Sequence, residues 1–191
     1  MGKEEGFWNK KTWIGLLIVI IMVSSSAGIM LSRDNDNNVK YNGYTFTRAN
    51  SGWILNTDGK EMIFNFHPLD VEEIPIEDKV IDRLDVVQAY LTFEVGKKLQ
   101  YIDMIRFEFI TAMQDNFETY IESGVLNKTD AYDFPIIDCI NATKDIPVIK
   151  FVFANETKVY VDGNCIIAEA QSELDFLAIT EKILYKLLGV M

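Results

Sequence analysis

Residues 146–170 read IPVIKFVFANETKVYVDGNCIIAEA and contain three short runs rich in β-branched and aromatic residues. Runs of this kind, separated by turn residues, are typical of β-strands. Ala154-Asn155-Glu156 is predicted to form the tip of a hairpin between the first two runs. Val161-Asp162-Gly163-Asn164 is predicted to join the last two by a turn. The stretch therefore predicts the strands of a sheet.

Two amphipathic helices are predicted around these strands. After a strand at residues 85–95, apolar residues recur at spacings of three and four until Ser123-Gly124, where the helix should end. Ser172, with Asp175 three residues later, is predicted to cap a second helix. The expected buried positions are Leu99, Ile102, Ile105, Phe109, Met113, Phe117 and Tyr120 in the first helix, and Leu174, Leu177, Ile183, Leu184, Leu187 and Leu188 in the second.

A further strand, FPIIDCI at residues 134–140, completes the order β-α-β-β-β-β-α. This order predicts an α+β domain over residues 85–191, with two helices packed on a largely antiparallel sheet. Residues 44–67 carry three short aromatic strands and predict a small β-meander, since Thr57-Asp58-Gly59-Lys60 is a hairpin signal. A polar linker is predicted at 33–43 and an acidic connector at 68–84.

Residues 12–32 form a run of 21 residues without a charge, between Lys11 and Arg33. A helix of this length spans roughly 32 Å, enough to cross the hydrocarbon core of a bilayer. The lysines before the run predict a cytoplasmic N-terminus (1–11) and an extracytoplasmic body. The alternative is a signal peptide, with Ser25 and Ala27 at the small positions before a cleavage site, and a secreted body.

The two cysteines of the chain, Cys139 and Cys165, both fall in the predicted outside body. A disulfide between them is predicted, because such bonds persist in oxidising compartments. Two free buried thiols are the alternative. Three Asn-x-Thr triplets, at Asn127, Asn141 and Asn155, are candidate glycosylation sites.

The formal net charge of −11 argues against a nucleic-acid partner, because an acidic surface repels phosphate backbones. Asp34-x-Asp36-x-Asn38 imitates the start of a calcium loop, but it has Val39 where glycine is needed and Thr45 where the bidentate glutamate is needed. His67, the only histidine, precedes an acidic run, and a strand-end histidine beside solvated charges is expected there. The sequence predicts no metal ligand and no cofactor.

Ile146-Pro147-Val148-Ile149 leading into a strand, the Ala154-Asn155 turn, a second strand and a closing amphipathic helix resemble the second half of the thioredoxin fold. This resemblance implies a thioredoxin-like fold as an alternative. Gly96-Lys97-Lys98-Leu99 stands where that family has its Cys-x-x-Cys motif, so the redox activity of the family is not carried over.

A second set of residues is similar to the C-terminal pattern of small membrane-anchored archaeal proteins. It consists of Cys139-x-Asn141-Ala142-Thr143, Pro147-Val148-Ile149, Gly163-Asn164-Cys165-Ile166-Ile167 and Tyr185-x-Leu187-Leu188-Gly189-Val190. The resemblance implies the membrane anchor and the disulfide, and it adds no chemistry.

The sequence has no nucleophile elbow, glycine-rich phosphate loop, zinc constellation or recognisable carboxylate pair, and no catalytic residue is predicted. We therefore expect a non-catalytic binding module or an accessory subunit of a cell-envelope complex, held to the membrane by its N-terminal helix. The alternative is a membrane-bound thioredoxin-like or thiol-handling enzyme, in which Cys139 and Cys165 would cycle between redox states. The identity of an envelope partner and the oligomeric state stay open.

Overall fold

The structure is a computed structural model of the chain, and it describes residues 37–57, 59–96 and 99–191. The predicted N-terminal tail (1–11) and transmembrane helix (12–32) lie outside the described residues. In the part that is described, no helix combines the length and the apolar character needed to cross a bilayer. By their contacts, residues 40–191 form one compact unit.

The first sheet has four strands in sequence order. They are β1 (Asn38–Tyr41), β2 (Tyr44–Ala49), β3 (Gly52–Thr57) and β4 (Lys60–Phe64). The pairs β2–β3 and β3–β4 are antiparallel, so the meander predicted from Tyr44 onward is confirmed. Met62 and Phe64 are buried while Ile63 between them is exposed, as the alternation in the sequence predicts. β1 adds a strand within the segment for which a polar linker is predicted.

Two short helices, α1 (Pro68–Val71) and α2 (Asp78–Leu84), lie within the predicted acidic connector. Their apolar side chains Val71, Val80 and Leu84 are buried, whereas Glu72 and Glu73 are exposed. The connector is therefore a packed layer with a charged outer face. His67 immediately precedes α1 and is only 4% exposed, whereas Asp70, Glu72 and Glu73, which follow it in the chain, are exposed.

The second sheet has five strands in the order β6-β5-β7-β9-β8. They are β5 (Gln88–Phe93), β6 (Tyr120–Val125), β7 (Val148–Phe153), β8 (Lys158–Asp162) and β9 (Cys165–Ala170), with helices α3 (Leu99–Phe117) and α4 (Glu173–Leu187). The α+β class is confirmed, but the second strand of the domain is β6 and not the predicted strand at residues 134–140. The turn at Val161–Asn164 is confirmed as well, because β8 and β9 pair antiparallel across it.

The prediction of a largely antiparallel sheet is wrong. The pairs β5–β6, β5–β7 and β7–β9 are all parallel, and only β8 runs against its neighbour. Helix α3 returns the chain to the same end of the sheet, which makes β5 and β6 parallel. β9 lies between β7 and β8, so β7 and β8 are not paired with each other. Ala154-Asn155-Glu156 therefore belongs to a connection that crosses β9, and the hairpin tip predicted there is wrong. Near-continuous burial along β9 fits this interior position.

The boundary of the first long helix also differs from the prediction. α3 ends at Phe117, and Glu118 adopts a positive φ of 56°, which reverses the chain before β6. Ser123-Gly124, predicted to end the helix, lies inside β6, and Tyr120, predicted to be buried, is 53% exposed. The apolar residues keep a helical spacing beyond Phe117, and the sequence therefore predicts an end that lies too far along the chain.

The predicted strand at residues 134–140 is wrong. This segment makes a single parallel bridge to the end of β6, in which the Pro135 carbonyl accepts from the Val125 amide and the Ile137 amide donates to the Val125 carbonyl. Pro135 has no amide proton to extend the ladder. Cys139–Asn141 then forms a turn of 3₁₀ helix.

The predicted disulfide is confirmed. Cys139 in the 3₁₀ turn is bonded to Cys165 at the start of β9, with a Cα–Cα distance of 5.2 Å. Cys165 is 1% exposed and packs with Ile137, Val148 and Ile167. The bond thus ties the irregular segment after β6 to the centre of the sheet.

Candidate functional site

A groove of about 540 Å³ opens between the edge of the meander and the two long helices. Strand β4 forms one wall, α3 forms the opposite wall, and α4 forms the floor. We call this the β4 groove. Its lining residues are Ser51, Glu61, Met62, Ile63, Phe64, Asn65, Phe107, Glu108, Phe109, Thr111, Ala112, Asn116, Leu177, Thr180, Glu181 and Leu184.

Three carboxylates line the β4 groove, and no lysine, arginine or histidine does. Glu61 comes from β4, Glu108 from α3 and Glu181 from α4. Burial raises the pKa of the Glu108 carboxyl. Burial also raises the pKa of Glu181, and the charge of Glu108 acts in the same direction. The groove is therefore an apolar channel with negative charge on all three of its sides.

Glu181 is 5% exposed and is held by three hydrogen bonds. Its Oε1 accepts from the backbone amide of Asn65 at 2.7 Å and from the Asn65 side chain at 2.8 Å, and its Oε2 accepts from the Phe66 amide at 2.9 Å. These bonds lower the pKa of Glu181 and oppose the effect of burial. A carboxylate on α4 therefore satisfies the amides at the point where the chain leaves β4.

The next residues of α4 attach to the same connection. Lys182 donates from Nζ to the carbonyls of Glu72 and Ile74, at 2.6 and 2.8 Å. The Tyr185 hydroxyl donates to the Phe66 carbonyl at 2.7 Å. We call Glu181, Lys182 and Tyr185 the α4 anchor, because these three side chains fix the meander and the α1 segment to the helix that forms the groove floor.

An apolar strip extends the β4 groove along the helices. Tyr101, Met104 and Phe107 follow one another at spacings of three on α3 and are 50%, 44% and 69% exposed. Leu174 on α4, predicted to be buried, is 61% exposed and lies beside Tyr101 and Met104 in a second cavity of about 290 Å³. Leu177 lines both cavities, so they are neighbours on the same two helices. Contiguous exposed apolar surface of this kind marks interaction sites.

Comparison with models of protein families, with curated proteins and with solved structures gives no match. Function is therefore inferred from the residues of the groove and the strip.

The residues predicted to be functional lie away from the β4 groove lining. Asn127, Asn141 and Asn155 are all exposed, each in a segment between named strands. The Asn141 side-chain oxygen accepts from the Asp138 amide, at 2.9 Å, so this asparagine also caps the 3₁₀ turn. Cys165 is shielded from solvent, and an external thiol cannot reach its sulfur without opening the domain.

The β4 groove was not predicted from the sequence, although the sequence contains one indication of it. Tyr101, Met104 and Phe107 are large apolar residues on the face of α3 that the periodicity assigns to solvent. The carboxylates gave no signal, because Glu61, Glu108 and Glu181 are far apart in the chain. Among the described residues, no group of three or more His, Cys, Asp or Glu side chains is arranged to hold a metal ion.

His67 sits in an aromatic pocket next to the α4 anchor. Its ring meets Phe46 and Trp53 edge-on, with centroid distances of 5.1 and 4.7 Å. Nδ1 accepts from the Leu69 amide, which leaves the proton of the neutral ring on Nε2, a buried atom without a hydrogen bond in the described part of the chain. Burial lowers the pKa of His67, against a weaker opposing effect of Asp70.

We expect acid to destabilise the protein through His67. A folded-state pKa below the unfolded value means that the unfolded chain takes up the proton first, so stability falls as the pH drops below about 6.5. Urea unfolding of the wild type and of His67→Asn, at pH 7.5 and pH 5, measures this effect. The asparagine keeps a capping oxygen and does not titrate. The difference in stability between the two proteins should shrink at pH 5; a constant difference would contradict the assignment.

Proposed function

We propose that this chain is a single-pass membrane-anchored protein whose body, outside the cytoplasm, is a non-catalytic binding module or accessory subunit of a cell-envelope complex. The N-terminus is cytoplasmic, residues 12–32 span the bilayer, and the partner protein binds the β4 groove and the apolar strip. The apolar strip on α3 is the observation that carries this proposal. The apolar residues of an amphipathic helix normally face the core or a partner surface, whereas Tyr101, Met104 and Phe107 are 50%, 44% and 69% exposed.

The chemistry of the groove supports binding rather than catalysis. Two of its acids have raised pKa values, but one of them, Glu181, already accepts three hydrogen bonds within the fold. Aromatic residues such as Phe107, together with Met104, belong to the residue types that are enriched at protein interfaces.

The closed disulfide supports a location outside the cytoplasm, since such bonds persist in oxidising compartments. The exposure of Asn127, Asn141 and Asn155 is compatible with glycosylation there. The resemblance to membrane-anchored archaeal proteins points the same way.

Site-specific photo-crosslinking of the full-length protein in its native membranes tests the proposal. A photoreactive residue at position 107 should give one saturable crosslinked product, and the same residue at position 87, where Val87 is 81% exposed and does not line the groove, should not. In a separate measurement, Phe107→Glu should lower co-purification of the crosslinked partner by about tenfold, since it puts a charge into the apolar contact. Phe107 is 69% exposed, so this variant should keep the wild-type unfolding midpoint. Equal crosslinking from both positions would contradict the proposal.

A further inference from the structure

The outer edge of β4 presents free strand-pairing groups to the β4 groove. β4 is the last strand of its sheet, with β3 as its neighbour. A Cβ at Gly52 would lie 2.2 Å from the Phe64 carbonyl oxygen, so this carbonyl points toward β3. The backbone N–H and C=O groups of successive residues point to opposite edges of a strand. The N–H and C=O groups of Ile63 and Glu61 therefore point away from β3. The Asn65 amide, two residues after Ile63, follows the same alternation and reaches Glu181 on α4.

No other described residue hydrogen-bonds to the outward backbone groups of Glu61 and Ile63. Unpaired strand edges bind other strands readily unless the fold covers them. Here the α3 wall stands across the groove, and Lys60 links the start of β4 to the end of α3 by donating to the Asp115 carbonyl at 2.6 Å. The edge is thus open at Glu61 and Ile63, between Lys60 at one end and the Asn65 amide, which Glu181 already binds, at the other.

The charge of the groove selects the occupant. Glu61, Glu108 and Glu181 line it without a basic residue, and the whole chain has a net charge of −11. An acidic or neutral strand would leave these carboxylates without compensation, whereas lysine or arginine side chains would neutralise them. Met62, Phe64 and Phe109 offer apolar surface between the acids.

We propose that the β4 edge binds an extended segment of the partner protein, in which basic and apolar residues alternate, as a fifth strand of the meander. Main-chain hydrogen bonds to Glu61 and Ile63 give the affinity, and the groove carboxylates select basic side chains. This inference rests on the proposed function, since it names the kind of segment that the partner supplies.

The test uses the purified full-length protein in detergent and an octapeptide of alternating valine and lysine. Amide hydrogen exchange should slow at Glu61 and Ile63 when this peptide binds. Ile63→Pro removes the outward amide without removing a bond to β3, and should weaken binding by about tenfold. Ile63→Val is the matched variant, with a side chain of similar size and an intact amide, and should change the affinity by less than about twofold.

Two control peptides sharpen the result. Valine alternating with glutamate should bind at least about tenfold more weakly, because like charges meet in the groove. The lysine peptide N-methylated at every amide has no donor left on either edge, and it should not protect Ile63. Equal binding of the fully N-methylated peptide, or equal binding to Ile63→Pro and Ile63→Val, would overturn strand addition.

The two proposals fail in different ways. Absence of peptide binding, together with a crosslink from position 107 to a partner in native membranes, would overturn strand addition and leave the binding module standing. Peptide binding at the β4 edge without any such crosslink would uphold strand addition and remove the proposed partner complex.

Discussion

Replacement of Glu181 by alanine is expected to lower the free energy of unfolding by about 3 kcal/mol. The variant leaves the amides of Asn65 and Phe66 without their acceptor, at a point where the α4 helix is buried against the end of β4. Both amides are partly buried, so removing their acceptor costs part of the desolvation of two donors in addition to the lost hydrogen bonds. Urea unfolding of the full-length protein, followed by circular dichroism, measures the loss.

Two further variants control this result. Glu181→Gln keeps the shape and one acceptor oxygen, so we expect an intermediate loss of about 1–2 kcal/mol. Asp82→Ala removes an exposed carboxylate and should change stability by less than about 0.5 kcal/mol. Burial raises the folded-state pKa of Glu181, so the folded protein takes up a proton there before the unfolded chain does. Lowering the pH should therefore increase the stability of the wild type relative to Glu181→Ala. A loss no larger than that of Asp82→Ala would refute the α4 anchor.

Removal of the disulfide is the second large effect. The bond closes a chain separation of 26 residues, and its loss should cost about 3 kcal/mol, because the unfolded chain regains the entropy that the closed loop had removed. We expect this for the double variant Cys139→Ala/Cys165→Ala, and chemically reduced wild type should have nearly the same unfolding midpoint as the variant. Urea unfolding with and without reductant provides both measurements.

The same bond separates the two functional alternatives. Cys165 is 1% exposed and Cys139 is only partly exposed, so the folded protein should be reduced much more slowly than the urea-unfolded protein. Rapid reduction in the native state, with full retention of structure, would favour a thiol-handling enzyme instead. A stability loss below about 1 kcal/mol in the double variant would contradict a structural role for the bond.

Local signals in the sequence predict local structure well in this chain. Ser172 caps α4 as expected, with its Oγ accepting from the Asp175 amide at 3.3 Å. The turn between β8 and β9 and the alternation of β4 were predicted from neighbouring residues alone. In each case the interaction that decides the structure spans only a few positions.

The errors come from interactions between distant residues. Gly124 reads as a helix end, yet it lies in β6, where glycine is required because a Cβ would be 2.7 Å from the Ile137 side chain. No short stretch of sequence indicates that β9 lies between β7 and β8. The same three strands could also pair in sequence order without any change in composition. The β4 groove joins β4, α3 and α4, and no spacing in the sequence brings Glu61, Glu108 and Glu181 together.

The central claim is that the β4 groove and the apolar strip form the surface that binds a partner. Hydrogen exchange on the full-length protein, alone and in the complex isolated from its native membranes, tests this claim most directly. We predict slower exchange in the complex at Glu61 and Ile63 and along the Phe107–Ala112 segment of α3, with little change in β8. Protection confined to β8 or to the segment that contains Asn127, with the groove unchanged, would contradict the claim.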